Sequence, residues 1–189
     1  ALGDGCKYKV IACSSETKAK QIYEEYRFLD SNTYLYPAKD FLFYQADIRS
    51  KELVKQRMEG IQAVLSGEPV TVVTSLDGFM DHLAPKESIA EKVLKVQNDS
   101  VLKLDEMAEK LSVIGYDREV QVEGPGQFAV RGGILDIYPL TEELPVRIEL
   151  WGDEVDSIRT FDVESQRSIE NLMDIVIYPA VEFPQNGEK

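Results

Sequence analysis

Arg147 and Trp151 fall on one short run, Pro145 to Trp151 (PVRIELW), and the chemistry they offer is recognition rather than bond making. Val146, Ile148 and Leu150 alternate with Arg147, Glu149 and Trp151, so a period of two predicts a strand with one aliphatic and one polar face. The polar face ends in the only tryptophan of the chain. A guanidinium and an indole on such a face resemble the anchors that dominate protein interfaces. Arg131 joins them by the same count, since Phe128 and Val130 alternate with Gln127, Ala129 and Arg131. Each arginine has a plainer reading, a surface ion pair with Glu149, Asp153 or Glu154, which contributes little to stability. Trp151 has one too, as a hairpin-end aromatic packing over its own turn.

Other residue types that do chemistry are present without the spacing for it. Asp136, Glu149, Asp153, Glu154 and Asp156 alternate along strands and cap turns, as on a solvated sheet face. General acid–base work requires instead a pair in a cleft with separated pKa values. Cys6 and Cys13 form no zinc pattern and read as two buried or half-buried thiols in a reducing cytosol. His82 is the single histidine, and no nucleophile or acid near it completes a triad. No catalytic residue and no metal site is therefore expected. Net charge is −13, from 34 acidic against 21 basic residues, with no Lys/Arg cluster. Phosphate neutralisation supplies much of duplex affinity, so this balance argues against direct DNA binding and for protein partners.

Two groups of elements would position these side chains. Lys7 to Cys13 reads as a strand running into a helix, with a Ser N-cap and Ala19, Ile22, Tyr23 and Tyr26 on one face. Thr33 to Tyr36 is a second strand, stopped by Pro37. A helix follows from Ser50 to Leu65, its stripe being Leu53, Val54, Met58, Ile61, Val64 and Leu65, with Gly67 as the stop. Val70 to Thr74 has the composition of a strand buried on both faces of a parallel sheet, and Ser75 caps a short helix. Alternating strands and helices to about residue 84 make an α/β layer with crossover connections. Such layers bind nucleotides at their strand ends, yet neither G-x-x-x-x-G-K-S/T nor G-x-G-x-x-G is present. Ser14-Ser15-Glu16-Thr17 is the nearest substitute and reads as a plain helix cap.

Ala84-Pro85-Lys86 marks a boundary. Beyond it the pattern gives a strand from Ala90 to Val96 and a helix from Lys103 to Ser112 capped at Asp105. A hairpin is expected from Glu119 to Arg131 around Gly124-Pro125-Gly126, a bulge or close backbone approach at Gly132-Gly133, and a turn at Trp151 to Glu154. Antiparallel strands with one helix across them make a small α+β domain over roughly 88–176, and Ile175 onward reads as a strand returning to the first domain. No apolar run has the length of a membrane helix, and Ala1-Leu-Gly-Asp-Gly is not a signal peptide. The missing initial methionine and the ending Phe183 to Lys189 read as those of a segment of a longer protein.

Taken together, GQFAVRGGILDIYP (Gly126 to Pro139), LPVRIELWGDEVDSIRTFD (Leu144 to Asp162) and VESQRS (Val163 to Ser168) resemble the UvrB-homology module of bacterial transcription-repair coupling factors. The resemblance extends back through PAKDFLFYQADIRSKELVKQRMEGIQAVL (Pro37 to Leu65) and VVTSLDGFM (Val72 to Met80), and forward to IYPAVEFP (Ile177 to Pro184). UvrB itself is the alternative, with ATP and DNA binding in its first domain. UvrB, however, carries a phosphate loop and a tyrosine-rich hairpin insertion, for which Phe43-Tyr44-Gln45 leaves no room, and FDVESQRS is closer to the coupling factors.

That resemblance implies a degenerate helicase-like α/β layer of the P-loop NTPase type (1–87) and an inserted small α+β domain like UvrB domain 2 that binds UvrA (88–176). It also implies the start of a return into the first domain (177–189). The implied role is recruitment of UvrA to stalled RNA polymerase in transcription-coupled nucleotide excision repair, by a cytoplasmic, monomeric segment. RNA polymerase and DNA would be engaged by other domains of the full-length protein. ATP and magnesium belong to its motor, so no cofactor is expected here. The family's UvrA-contacting positions fall on Arg131, Arg147 and Trp151, where Trp151 replaces the usual phenylalanine.

Overall fold

The computed structural model describes residues 6–39 and 47–182. The expectations resting on Phe43-Tyr44-Gln45 and on residues 183–189 lie outside the described residues. Two compact units divide the chain, Ala1–Leu83 and Ala84–Lys189.

In the first unit, β1 (Tyr8–Cys13), β3 (Val70–Ser75) and β2 (Thr33–Tyr36) form a parallel sheet in the order β1-β3-β2. β3 lies between the other two, and its Val70, Thr71, Val73, Thr74 and Ser75 are buried, as the composition of a central parallel strand requires. Helix α1 (Glu16–Arg27) starts where Ser15 Oγ accepts from the backbone N–H of Lys18 at 3.3 Å. Its apolar stripe closes one face of the sheet, with Cys13, Ala19 and Val73 buried and Ile11, Ile22, Tyr23 and Leu35 packed around them. Helix α2 (Asp47–Ser66) lies against β2. Within the expected stripe only Met58 is fully buried, and beside it the equally buried Arg57 was not anticipated. Helix α3 (Leu76–Met80) is capped by Ser75 Oγ, which accepts from the Gly78 N–H at 3.0 Å.

The second unit opens with α4 (Lys86–Ala90) and β4 (Leu94–Gln97), then α5 (Leu104–Val113). The strand expected from Ala90 to Val96 thus forms only from Leu94, since Ala90 ends a helix and Glu91 and Lys92 make a turn. Pro85 begins that helical turn, a position where its missing N–H costs nothing, and Ile89 is buried from it. Lys103, not Asp105, is the N-cap of α5, and Asp105 stands in the first turn, where a carboxylate complements the helix dipole.

Strands β5 (Asp117–Arg118), β6 (Gln127–Arg131), β7 (Ile134–Tyr138), β8 (Val146–Trp151), β9 (Glu154–Phe161) and β10 (Ser168–Leu172) form one sheet, antiparallel from β6 to β10. The hairpin expected before β6 does not form, because β5 pairs parallel with β6 and the chain loops out and back between them. Gln127 Oε1 fastens that loop by accepting from the N–H groups of Glu123 (2.9 Å) and Gly124 (3.0 Å). One sheet face carries Phe128, Leu135, Ile137, Val146, Ile148, Val155 and Ile158, all buried. Helix α5, packed against β5 and β6, buries Met107, Ala108 and Leu111. The last strand, β11 (Asp174–Ile177), pairs antiparallel with β4 rather than running away from this unit. The residues after it stay here as well, with the Ala180 N–H donating to Ile114 O (2.8 Å) and Tyr116 Oη to Tyr178 O (2.9 Å).

Candidate protein-docking face

The sheet face opposite Phe128 and Ile148 carries the three residues singled out from the sequence. Strand β8 keeps its period of two to the end, so Arg147, Glu149 and Trp151 share this face. Register places Asp136 of β7 directly across from Arg147 on one side and Arg159 of β9 on the other. The Asp136 side chain is 1% exposed and binds two arginines at once. Arg147 donates from Nε to Oδ1 (2.7 Å) and from Nη2 to Oδ2 (2.9 Å), and Arg131 donates from Nη2 to Oδ2 (2.7 Å). Paired, hydrogen-bonded charges of this kind are the form in which burial of a carboxylate is tolerated.

Arg147 is held on every side. Its Nη2 also donates to Gln166 Oε1 (2.9 Å), and its guanidinium lies 4.5 Å from the ring centroid of the buried Phe161. The hydrogen-bonded Asp136 carboxylate raises its pKa above the ordinary arginine value, against an opposing effect of burial. Gln166 reaches this position from a short loop, Asp162 to Arg167, where it adopts a left-handed φ of 59°. Asp162 builds the loop by accepting at Oδ1 from the Ser165 N–H (2.8 Å) and hydroxyl (2.6 Å), which hold its carboxyl below the usual range. Gln166 itself donates from N to Asp162 O (2.8 Å) and from Nε2 to Val163 O (2.7 Å).

The three predicted residues therefore differ in access. Arg147 is 14% exposed at its side chain and Arg131 46%. Trp151 is 85% exposed, so it does not pack over its own turn. The ion-pair partner of both arginines is Asp136 rather than Glu149, Asp153 or Glu154, and Glu149 pairs with Arg159 instead. Asp136 is accordingly not the solvated strand-face acid expected. The sequence reading missed it, and missed Gln166, although an Asp inside the aliphatic strand ILDIY was a visible signal. Exposed Val101 bridges to Glu154, which pairs with Trp151, so the apolar end of the face continues across β9.

Gly132-Gly133 is the two-residue turn of the β6–β7 hairpin, Gly132 having φ 58°, and not a bulge. The register shift of this region lies between Glu149 and Leu150 in the β8–β9 pair. The close backbone approach expected at the glycines is present: Gly133 O accepts from the Leu150 N–H (2.8 Å), and a Cβ on Gly133 would lie 2.9 Å from Leu150 O. Gly133→Ala is expected to push this turn off β8 and lower stability by about 1–3 kcal/mol, the usual cost of overpacking. A denaturant titration checks it, and an unchanged midpoint contradicts the close approach.

The strand ends of the first unit, where open α/β sheets place ligands, are filled by the chain's own groups. Ser15 is a helix cap, and Glu16 Oε1 accepts from the Ala38 N–H (3.0 Å) and from the Ser75 hydroxyl. Lys39 donates from N to Asp81 Oδ2 (2.9 Å) and from Nζ to the carbonyl of His82 (2.7 Å). Both cysteines are free thiols; Cys13 is buried as expected, but Cys6, ahead of β1, is exposed. Among the described residues no group of three or more His, Cys, Asp or Glu is arranged to hold a metal ion, and no helix is long and apolar enough to cross a membrane.

Residues 94–183 match the family model of the UvrB interaction domain. The chain is 41% identical over 154 residues to the transcription-repair-coupling factor of Bacillus subtilis (strain 168), which covers 82% of this chain and 13% of that protein. Against the same-named protein of Staphylococcus epidermidis (strain ATCC 12228 / FDA PCI 1200) it is 38% identical, again over 82% of this chain and 13% of the relative. Identity to that of Staphylococcus aureus (strain Mu50 / ATCC 700699) is 35%, over 83% of this chain and 13% of the relative. The chain thus spans about an eighth of the length of these curated relatives. Residues 94–183 are a UvrB interaction domain, and the chain that carries it belongs with the transcription-repair-coupling factors.

Proposed function

We propose that this chain is a protein-recruiting segment that docks UvrA on the face formed by Arg131, Arg147 and Trp151, and that it catalyses nothing itself. The observation that carries the reading is an almost fully exposed tryptophan on the same sheet face as two arginines organised by one buried carboxylate. Exposing an indole has no stabilising role within the fold, whereas a central aromatic with an arginine beside it is the common composition of an interface hot spot. The guanidinium of Arg131 calls for a carboxylate on the partner, and Trp151 for an apolar pocket.

In this reading residues 1–87 are a partial, degenerate helicase-like layer and 88–176 are the UvrA-binding domain, on which the residues around Tyr178 and Ala180 stay packed instead of beginning a return to the first. The carboxylate of Glu16 lies at the strand ends where a nucleotide phosphate would have to sit, which supports a layer without ATP hydrolysis. Motor activity with ATP and magnesium, and contacts with RNA polymerase and DNA, are assigned to the rest of the longer protein. A cytoplasmic setting and a monomeric segment complete the assignment.

Titrating UvrA against the chain and against Arg131→Ala and Trp151→Ala tests it. Each truncation is expected to weaken binding about tenfold or more. Thermal melting of Trp151→Ala should match that of the parent, because the side chain is solvent-exposed. Undiminished affinity in both variants would overturn the site.

A further inference from the structure

Resting on that reading, we infer that Asp136 is the positioning residue of the docking face: its buried carboxylate holds the Arg131 guanidinium in the orientation that the partner meets. The three arginine–carboxylate hydrogen bonds divide unequally between the two arginines. Arg147 takes two of them, is capped by Gln166 and is stacked on Phe161. It serves as a fixed wall of the site, with little of its surface left for a partner. Arg131 takes one bond, to Oδ2, which it shares with Arg147 Nη2, and nearly half of its side chain faces solvent.

A single bond at Nη2 leaves the rest of the guanidinium fork presented but oriented. An exposed arginine otherwise gives up considerable rotamer freedom when a partner binds. Asp136 removes part of that loss beforehand, because its own position is set by β7 and by the two-point contact with Arg147. Asparagine at this position would keep the shape and lose the charge. The two guanidinium groups would then repel across a neutral amide, and Arg131, the one with an open path to water, would leave.

The test is a double-mutant cycle on UvrA binding with Asp136→Asn, Arg131→Ala and the combined variant. Asp136→Asn is expected to weaken binding about tenfold in the parent and less than about twofold once Arg131 is alanine. Equal losses in both backgrounds mean that Asp136 only supports the fold, and they overturn the inference. So does an unchanged affinity for Asp136→Asn while Arg131→Ala binds weakly. If Arg131→Ala itself binds as the parent does, the inference is overturned, while the docking reading falls only if Trp151→Ala also keeps full affinity. A second measurement needs no variant: nitrogen-15 spectra of the parent should show hindered rotation of the Arg131 guanidinium, and a freely averaged signal rules out the held geometry even if Asp136→Asn fails to fold.

Discussion

Replacing Arg57 with alanine is expected to destabilise the first unit by about 3–5 kcal/mol, the range for removing one partner of a buried ion pair. The Arg57 side chain is fully buried. It donates from Nη1 to Asp81 Oδ2 (2.9 Å) and to the carbonyl of Pro37, and from Nη2 to the hydroxyl of Tyr36. Its guanidinium also lies 4.0 Å from the Tyr36 ring centroid. Alanine would take this donor from the Pro37 carbonyl and the Tyr36 hydroxyl in a dry setting, and leaving a buried polar group without its bond costs more than the made bond contributes. The damage would fall at the end of β2, where Asp81 also accepts from the backbone of Lys39. Denaturant unfolding with hydrogen exchange at the β1–β3 amides measures the effect. Protection that survives unchanged in Arg57→Ala would show that the buried network holds nothing together.

Arg147→Ala is expected to weaken UvrA binding about tenfold and, unlike Trp151→Ala, to destabilise its own unit by about 2–3 kcal/mol. The estimate is lower than for Arg57 because Asp136 would keep one partner, Arg131. What disappears is the two-point contact on that carboxylate, the cover over the Phe161 ring and the anchor of Gln166. Gln166 holds a left-handed backbone conformation that carries strain for a residue with a side chain, and its bond to Arg147 helps to offset it. The Asp162 to Arg167 loop should therefore loosen in this variant. Melting curves read beside the binding titration separate the two arginines. A variant that binds weakly at full stability would make Arg147 a direct contact and contradict the fixed-wall geometry.

Period and capping were legible wherever one element decides its own fate. Thr33 to Tyr36 is a strand of the expected extent, and Ser15 and Ser75 cap the expected helices. Alternation misled between Glu119 and Glu123. Val122 is buried and Val120 exposed, whereas a strand would put both on one face, and no neighbouring strand offers a ladder there. An alternating pattern permits a strand, but only a partner strand with its ladder holds the backbone extended and keeps alternate residues on one face. The same limit hid Arg57, since a helical stripe counted on apolar residues has no place for a buried cation.

Within the candidate docking face, the sequence by itself determined that Arg147, Glu149 and Trp151 share one side of a strand and that paired glycines allow a close backbone approach. Both follow from local geometry, the pleat in one case and the missing Cβ in the other. Tertiary structure alone decided which of these side chains is free to meet a partner. Asp136 and Arg147 are eleven residues apart, and Gln166 is nineteen residues beyond Arg147. Only the pairing of β7 with β8, and the loop after β9, bring those charges together. Burial there turns one arginine into a wall and leaves the other, with the tryptophan, facing water, because a buried carboxylate must satisfy its oxygens and an exposed indole has nothing to satisfy.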